Sequence, residues 1–185
     1  MKKVFLSIAL FVSAIFTVNA QTADEVITKY ITEIGGAEKW AKVQSIKITL
    51  YRLSKNSQIV SSLINAAKNG KKVTVQIELQ ARFDEASNIS YAEQMQEEGI
   101  NLIFGVKGLK VHSKICLVER LEDDEIKRYG FVSTGNFSES SAKIYTDVTL
   151  FTSDSKILKD MSKVFEFFES WTPDALNVKK YDWLN

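Results

Sequence analysis

The 185-residue sequence predicts an α/β domain: a mixed β-sheet with flanking helices. Three observations lead there. β-Branched, alternating runs are interleaved with runs of helical period, the pattern of a layered α/β fold. Two successive strand-like runs are joined by a short acidic turn, which adds antiparallel strands to the sheet. Hydrophobic residues make up 45% of the chain, enough to fill a core between sheet and helices.

The elements follow in order. Thr22 to Lys42 reads as two short helices: Val26, Tyr30, Ile31 and Ile34 recur at helical spacing, Gly35-Gly36 interrupts, and Ala37 resumes. Ser45 to Leu53 is β-branched and alternating, hence a strand. Ser57 to Asn69 is a helix with Ile59, Val60, Leu63, Ile64 and Ala67 on one face and Gly70 as its stop. Lys71 to Leu79 is a strand, Val73, Val75, Ile77 and Leu79 alternating with Thr74, Gln76 and Glu78. Asp84 to Glu98 is a helix opened by acidic residues and ended by Gly99. Ile100 to Phe104 is a short strand. Lys114 to Arg120 and Lys127 to Ser133 are strands around the turn Glu122-Asp123-Asp124-Glu125, a solvated hairpin tip. Asp147 to Thr152 is a further strand. Asp154 caps a last helix with Ile157, Leu158, Met161, Val164, Phe165 and Phe168 inward. There is no internal repeat, and the one proline, Pro173, falls in a tail over 171–185.

The N-terminus has the form of a secretory signal. Met1-Lys2-Lys3 is basic, Val4 to Val18 is apolar apart from Ser7, Ser13 and Thr17, and Val18-Asn19-Ala20 ends on a small residue. Cleavage after Ala20 is expected, giving export to the periplasm or medium. The apolar run is short for a membrane span, so none is expected to remain. Lys plus Arg is 24 and Asp plus Glu is 23, a balance with no field that calls for nucleic acid or membrane. Cys116 has no partner cysteine and sits in an apolar run, which favours a buried hydrophobe. One cysteine and one histidine cannot build a zinc cluster within the chain.

The residues with chemistry stand near strand ends. Arg52 closes the first strand, Arg82 follows the second, and His112 precedes the strand from Lys114. Ligands gather beyond the carboxyl ends of strands in open α/β sheets, so Arg52 and Arg82 are candidates for one anion. Pairing with Asp84 or Glu85 is the structural alternative. His112-Ser113-Lys114 is an HxK element; on a strand, residues two apart share a face. Imidazole and ammonium could then meet one phosphate, the first as nucleophile and the second neutralising oxygen charge. Ser133-Thr134-Gly135-Asn136 at the next strand end offers a hydroxyl, pliant backbone and an amide for the same phosphate. An HxK strand followed by such an element outlines the site of the phospholipase D superfamily.

Longer stretches resemble the polyphosphate kinase family: SIKITLYRL, INAAKNGKKVTVQIELQARFDE, GLKVHSKICLV, STGNFSESSAKIYTD, and LFTSD leading into VFEFFE, in matching order and spacing. The resemblance covers Ser45 to Glu169 and marks 45–170 as the first of two phospholipase D-like catalytic halves. It implies that His112 takes the γ-phosphate of ATP and passes it reversibly to polyphosphate. Lys114 and Asn136 complete the site, and Tyr145 meets the nucleotide phosphates. Arg52 and Arg82 belong to the phosphate and Mg²⁺ site; guanidinium cannot ligate a metal, so both are read as holding phosphate oxygens beside it.

Departures keep other readings open. The family's N-terminal domains and second histidine-bearing half are absent from this sequence, and a signal peptide is foreign to a cytoplasmic, ATP-using family. The stretch TADEVITKYITEIGGAEKW within 21–44 resembles the start of small exported proteins. The alternatives are a single-HxK phosphodiesterase that dimerises to bring two His112 together, or an exported chimera without catalysis.

Overall fold

The computed structural model describes residues 22–33, 36–79, 81, 85–106 and 108–171. The signal-like segment 1–20, Arg82, Asp84 and the tail beyond Trp171 lie outside them. The chain divides into two units, Met1–Ala41 and Lys42–Asn185.

In the first unit α1 (Ala23–Glu33) and α2 (Gly36–Ala41) are the two expected helices. Thr22 and Glu25 form a reciprocal capping box, each accepting the other's backbone N–H at 3.2 and 2.9 Å.

The second unit is one six-stranded sheet with strand order β3-β2-β1-β4-β5-β6. Its strands are β1 (Val43–Leu50), β2 (Lys72–Ile77), β3 (Asn101–Phe104), β4 (Ile115–Glu122), β5 (Glu125–Ser133) and β6 (Thr149–Thr152). β1, β2 and β3 run parallel, linked through α3 (Gln58–Lys68) and α4 (Glu85–Glu97). β4, β5 and β6 continue antiparallel, so the sheet is mixed, as expected. A short α5 (Glu139–Ala142), which hydrophobic periodicity did not reveal, interrupts the β5–β6 connection; α6 (Ser155–Ser170) ends the described chain.

Two cores cover the two faces. Ile48, Leu50, Val73, Val75, Ile77 and Leu102 pack with Val60 and Leu63 of α3 and Met95 of α4. Ile103, Ile115 and Leu117 pack on the other side with Leu158, Met161, Phe165 and Phe168 of α6. α6 can lie close because Gly130 of β5 has no Cβ: an added one would sit 2.9 Å from Leu158 and Met161 side-chain carbons. Ile157 and Val164, expected inward, are instead 37% exposed, since the helix face in contact is narrower than the apolar stripe.

β2 falls within the strand expected over Lys71 to Leu79 and is buried along most of its length. Thr74, Gln76 and Glu78 are all buried along with the valines, because β2 lies between β1 and β3 with both faces covered. The hairpin tip is tighter than its acidic sequence suggests. Glu122 pairs with Glu125, leaving Asp123 and Asp124 as a two-residue turn with φ of 49° and 62°. Positive φ at both positions matches the twist of the flanking strands, and Asp tolerates that region better than most side chains. Cys116 is buried in the first core and burial pushes its thiol up to about 12, which makes it inert at neutral pH.

Candidate functional site

β1 and β4 are antiparallel neighbours, with Ile48 opposite Cys116. The end of β1 therefore adjoins the start of β4, and the chain before β4 lies beside the chain after β1. Thr49 fastens them: its hydroxyl donates to the Ser113 carbonyl at 2.7 Å and accepts from the Ile115 N–H at 3.0 Å. Buried Glu78, just past β2, accepts the Val111 N–H at 3.2 Å. These side-chain partners replace a regular ladder, so residues 111–114 lie outside the strand expected to carry HxK. Arg52 likewise falls two residues beyond β1, in an irregular loop.

His112 and Lys114 nonetheless converge. The Lys114 ammonium lies 2.7 Å from Nδ1 and 3.1 Å from Nε2 of His112, and it donates to the His112 carbonyl at 2.6 Å. An ammonium has no lone pair, so the ring nitrogen that receives it is unprotonated. Lys114 is only 5% exposed while the imidazole is exposed. Partial burial lowers the pKa of His112 from its ordinary value, and Lys114, Lys110 and Arg52 lower it further. A neutral imidazole at pH 7 is the nucleophilic form. Burial also lowers the pKa of Lys114, opposed by Asp147 and reinforced by Arg52.

Asp147 adds an acidic member to the cluster, one that no motif in the sequence singles out. The loop returning from β5 delivers it. Thr134 Oγ1 donates to Asp147 Oδ1 at 2.9 Å and accepts the Val148 N–H at 3.0 Å. Gly135 is the residue that makes room: an added Cβ would stand 2.2 Å from Asp147 Oδ2. The glycine of the STGN element is thus a packing requirement of the carboxylate that opposes the lowering of the Lys114 pKa. Next to it, Asn136 has its Oδ1 buried without a hydrogen-bond partner.

The Asn136 loop is clasped to the Arg52 loop. The hydroxyls of Ser54, Ser138 and Ser140 lie within 3.0 Å of one another, and the Ser140 N–H donates to Ser54 Oγ at 2.8 Å. Glu139 accepts the Gln58 N–H at 2.7 Å, capping α3 from outside. Burial raises the Glu139 pKa, but the backbone N–H groups of Glu139, Gln58 and Ile59 and the Ser54 hydroxyl outweigh it, so the net shift is downward.

Of the residues singled out in the sequence, His112 and Lys114 are in contact, and Arg52 is close enough to act on both electrostatically. Asn136 stands in the loop tied to them. Tyr145 is 64% exposed, and its N–H donates to the Ser141 carbonyl. Arg82 is outside the described residues. Among the described residues no group of three or more His, Cys, Asp or Glu side chains could hold a metal ion.

Comparison with known proteins gives the family. The family model for polyphosphate kinase C-terminal domain 1 matches residues 22–173. Polyphosphate kinase of Yersinia pestis is 52% identical over 128 residues, and that of Escherichia coli K12 is 49% identical over the same length. Each alignment takes in 69% of this chain and 19% of the relative, so the chain spans about a fifth of the length of these curated relatives. The crystal structure of polyphosphate kinase from Porphyromonas gingivalis superposes with a TM-score of 0.60 at 36% identity, over 85% of this chain and 26% of that one. NucT from Helicobacter pylori shares the fold, with a TM-score of 0.53 at 17% identity over 80% of this chain and 89% of that one. Sequence, fold and the HxK cluster together place the chain in the polyphosphate kinase family, as its C-terminal domain 1.

Proposed function

We propose that this chain is the phosphoryl-accepting module of a polyphosphate kinase, with His112 as the acceptor of the γ-phosphate of ATP. The supporting observation is the buried Lys114 ammonium against the exposed His112 imidazole, flanked by Arg52 and Asp147. An unprotonated ring nitrogen attacks the γ-phosphorus. The N–P bond forms as the bond to the bridging β–γ oxygen breaks, and ADP departs. In the second step a terminal oxygen of polyphosphate attacks the phosphohistidine, the P–N bond breaks, and the chain is one phosphate longer. Both steps run in reverse.

The residues supply position and charge. Lys114 moves its donors from the imidazole to an equatorial oxygen as the phosphoryl group arrives, and Asp147 keeps the ammonium charged in its buried setting. Arg52 takes phosphate oxygens in pairs. Asn136 and the backbone near Gly135 add uncharged donors. Mg²⁺, when bound, would neutralise phosphate oxygens; the described residues fit an ion carried in by the nucleotide rather than a protein cage. Tyr145 and Arg82 complete the nucleotide and phosphate contacts. The basic start, apolar run and small residue at Ala20 support export, and the ATP requirement supports a cytoplasmic setting; fractionation of the expressing cell decides between them.

Incubation with γ-labelled ATP and Mg²⁺ tests the reading. Acid-labile label on the protein that chases into added polyphosphate is the expected result. A stable folded chain that takes no label refutes it for this chain, and hydrolysis of a simple phosphodiester in the same assay would instead favour the dimeric phosphodiesterase.

A further inference from the structure

Tyr51 lies one residue beyond β1 and is 6% exposed. The β1–β4 register pairs Ile48 with Cys116 and Lys47 with Leu117, so the chain leaving β1 at Tyr51 runs beside the chain that enters β4. Three groups meet its ring. The His112 imidazole packs against it in a T-shaped pair, with centroids 4.5 Å apart and planes at 72°. The ammonium of Lys114 is 5.4 Å from the ring centroid, and that of Lys110 is 5.5 Å from it.

We propose that Tyr51 is the positioning residue of the site: its ring fixes the plane of the His112 imidazole and gathers the Lys110 and Lys114 ammoniums beside it. This rests on His112 being the phosphoryl acceptor. The two ammoniums repel when crowded, and a ring face relieves the repulsion through its quadrupole. A carboxylate in the same place would also gather lysines, but it would bind their N–H groups and compete with phosphate. The ring leaves every ammonium donor available to an oxygen anion. It also orients the imidazole through van der Waals and quadrupole contact, without itself hydrogen-bonding either ring nitrogen. Residues Lys110, His112 and Lys114 recur every second position, so one aromatic ring on the neighbouring strand end can serve all three.

His112 is the single histidine of the chain, so its imidazole resonances need no assignment. In the wild type, nuclear Overhauser contacts between the ring protons of His112 and those of Tyr51 are expected; their absence overturns the proposal without any variant. Titration by NMR then compares Tyr51→Phe and Tyr51→Leu. Tyr51→Phe keeps the ring and should titrate at the wild-type midpoint. Tyr51→Leu keeps apolar bulk and loses the ring, so the ammoniums disperse and the His112 midpoint rises toward 6.5, its ordinary value. Labelling from ATP should fall about tenfold in Tyr51→Leu, as expected for a misplaced reacting group, with the KM for ATP little changed. A folded Tyr51→Leu protein that titrates and labels like the wild type overturns the proposal. A wild type that takes no label from ATP sinks the phosphoacceptor reading instead, while the Overhauser contacts and titrations still judge Tyr51.

Discussion

The two ends of β4 handle charge in opposite ways. At its C-terminal end the charges are paired: Arg128 with Glu119, Arg120 with Glu122, and Lys127 with Glu125. Tyr129 closes that end by donating to Glu122 at 2.7 Å and receiving Arg120 at 3.2 Å. At the N-terminal end Lys110, His112 and Lys114 gather on Tyr51, with Arg52 and Asp147 acting through space. The hairpin end is solvated and balanced. The other end holds Lys114, 5% exposed, with its ammonium against a neutral imidazole, an arrangement that raises the energy of the cation until an anion arrives.

Substitutions should respond accordingly. The largest effect on chemistry expected short of removing His112 is at Lys114. Lys114→Met removes the donor aimed at the phosphoryl oxygens, and labelling from ATP should fall about 10²–10³-fold. It also removes a positive neighbour that depresses His112, so the acid limb of the pH–rate profile should move to higher pH. An unchanged limb would mean that Lys114 does not set the state of the imidazole.

The largest effect on stability belongs to neither end. Phe165 is fully buried between α6 and the sheet, and Phe165→Ala should cost about 3–5 kcal/mol in denaturant unfolding. Gly135→Ala should act more locally. Its methyl group displaces Asp147, so labelling should fall while the unfolding midpoint drops less than for Phe165→Ala. At the hairpin end, Arg128→Ala breaks a pair whose side chains are 49% and 26% exposed, and should cost only about 0.2–1 kcal/mol with no change in labelling. Equal losses of activity at Arg128 and Lys114 would erase the distinction between the two ends.

The pH dependence of folding has a definite sign. His112 has a lowered pKa when folded, so the unfolded chain takes up the proton first as pH falls. Its contribution to stability is present above about pH 6.5, the ordinary histidine value, and is lost as pH drops through the folded pKa. Glu139, also lowered, contributes in the same direction at more acidic pH.

Much of the frame was legible in the sequence. α3 and α6 announce themselves by apolar period together with Gly70 and the Asp154 cap, whose carboxylate accepts the N–H groups of Lys156 and Ile157, and α4 by its acidic start and Gly99. The burial of β2 was not legible, because the polar residues Thr74, Gln76 and Glu78 give no sign of it until the strands on both sides are in place. The HxK spacing pointed at a His112–Lys114 contact, yet the strand invoked for it is an irregular segment held by Thr49 and Glu78. Asp147 and Tyr51 were hidden for a different reason. Each acts through a neighbour remote in sequence, Asp147 through the packing of Gly135 and Tyr51 through the β1–β4 register, and no local pattern encodes such a meeting.

The central claim is that the cluster at the N-terminal end of β4 makes His112 a phosphate carrier. Its most direct test is to treat the protein with ATP and Mg²⁺, digest it under alkaline conditions that preserve phosphoramidates, and locate the phosphate by tandem mass spectrometry. Phosphate on His112, absent from a folded His112→Gln protein, is the expected result. Phosphate on another residue, or none on a chain that is folded and binds ATP, would contradict it.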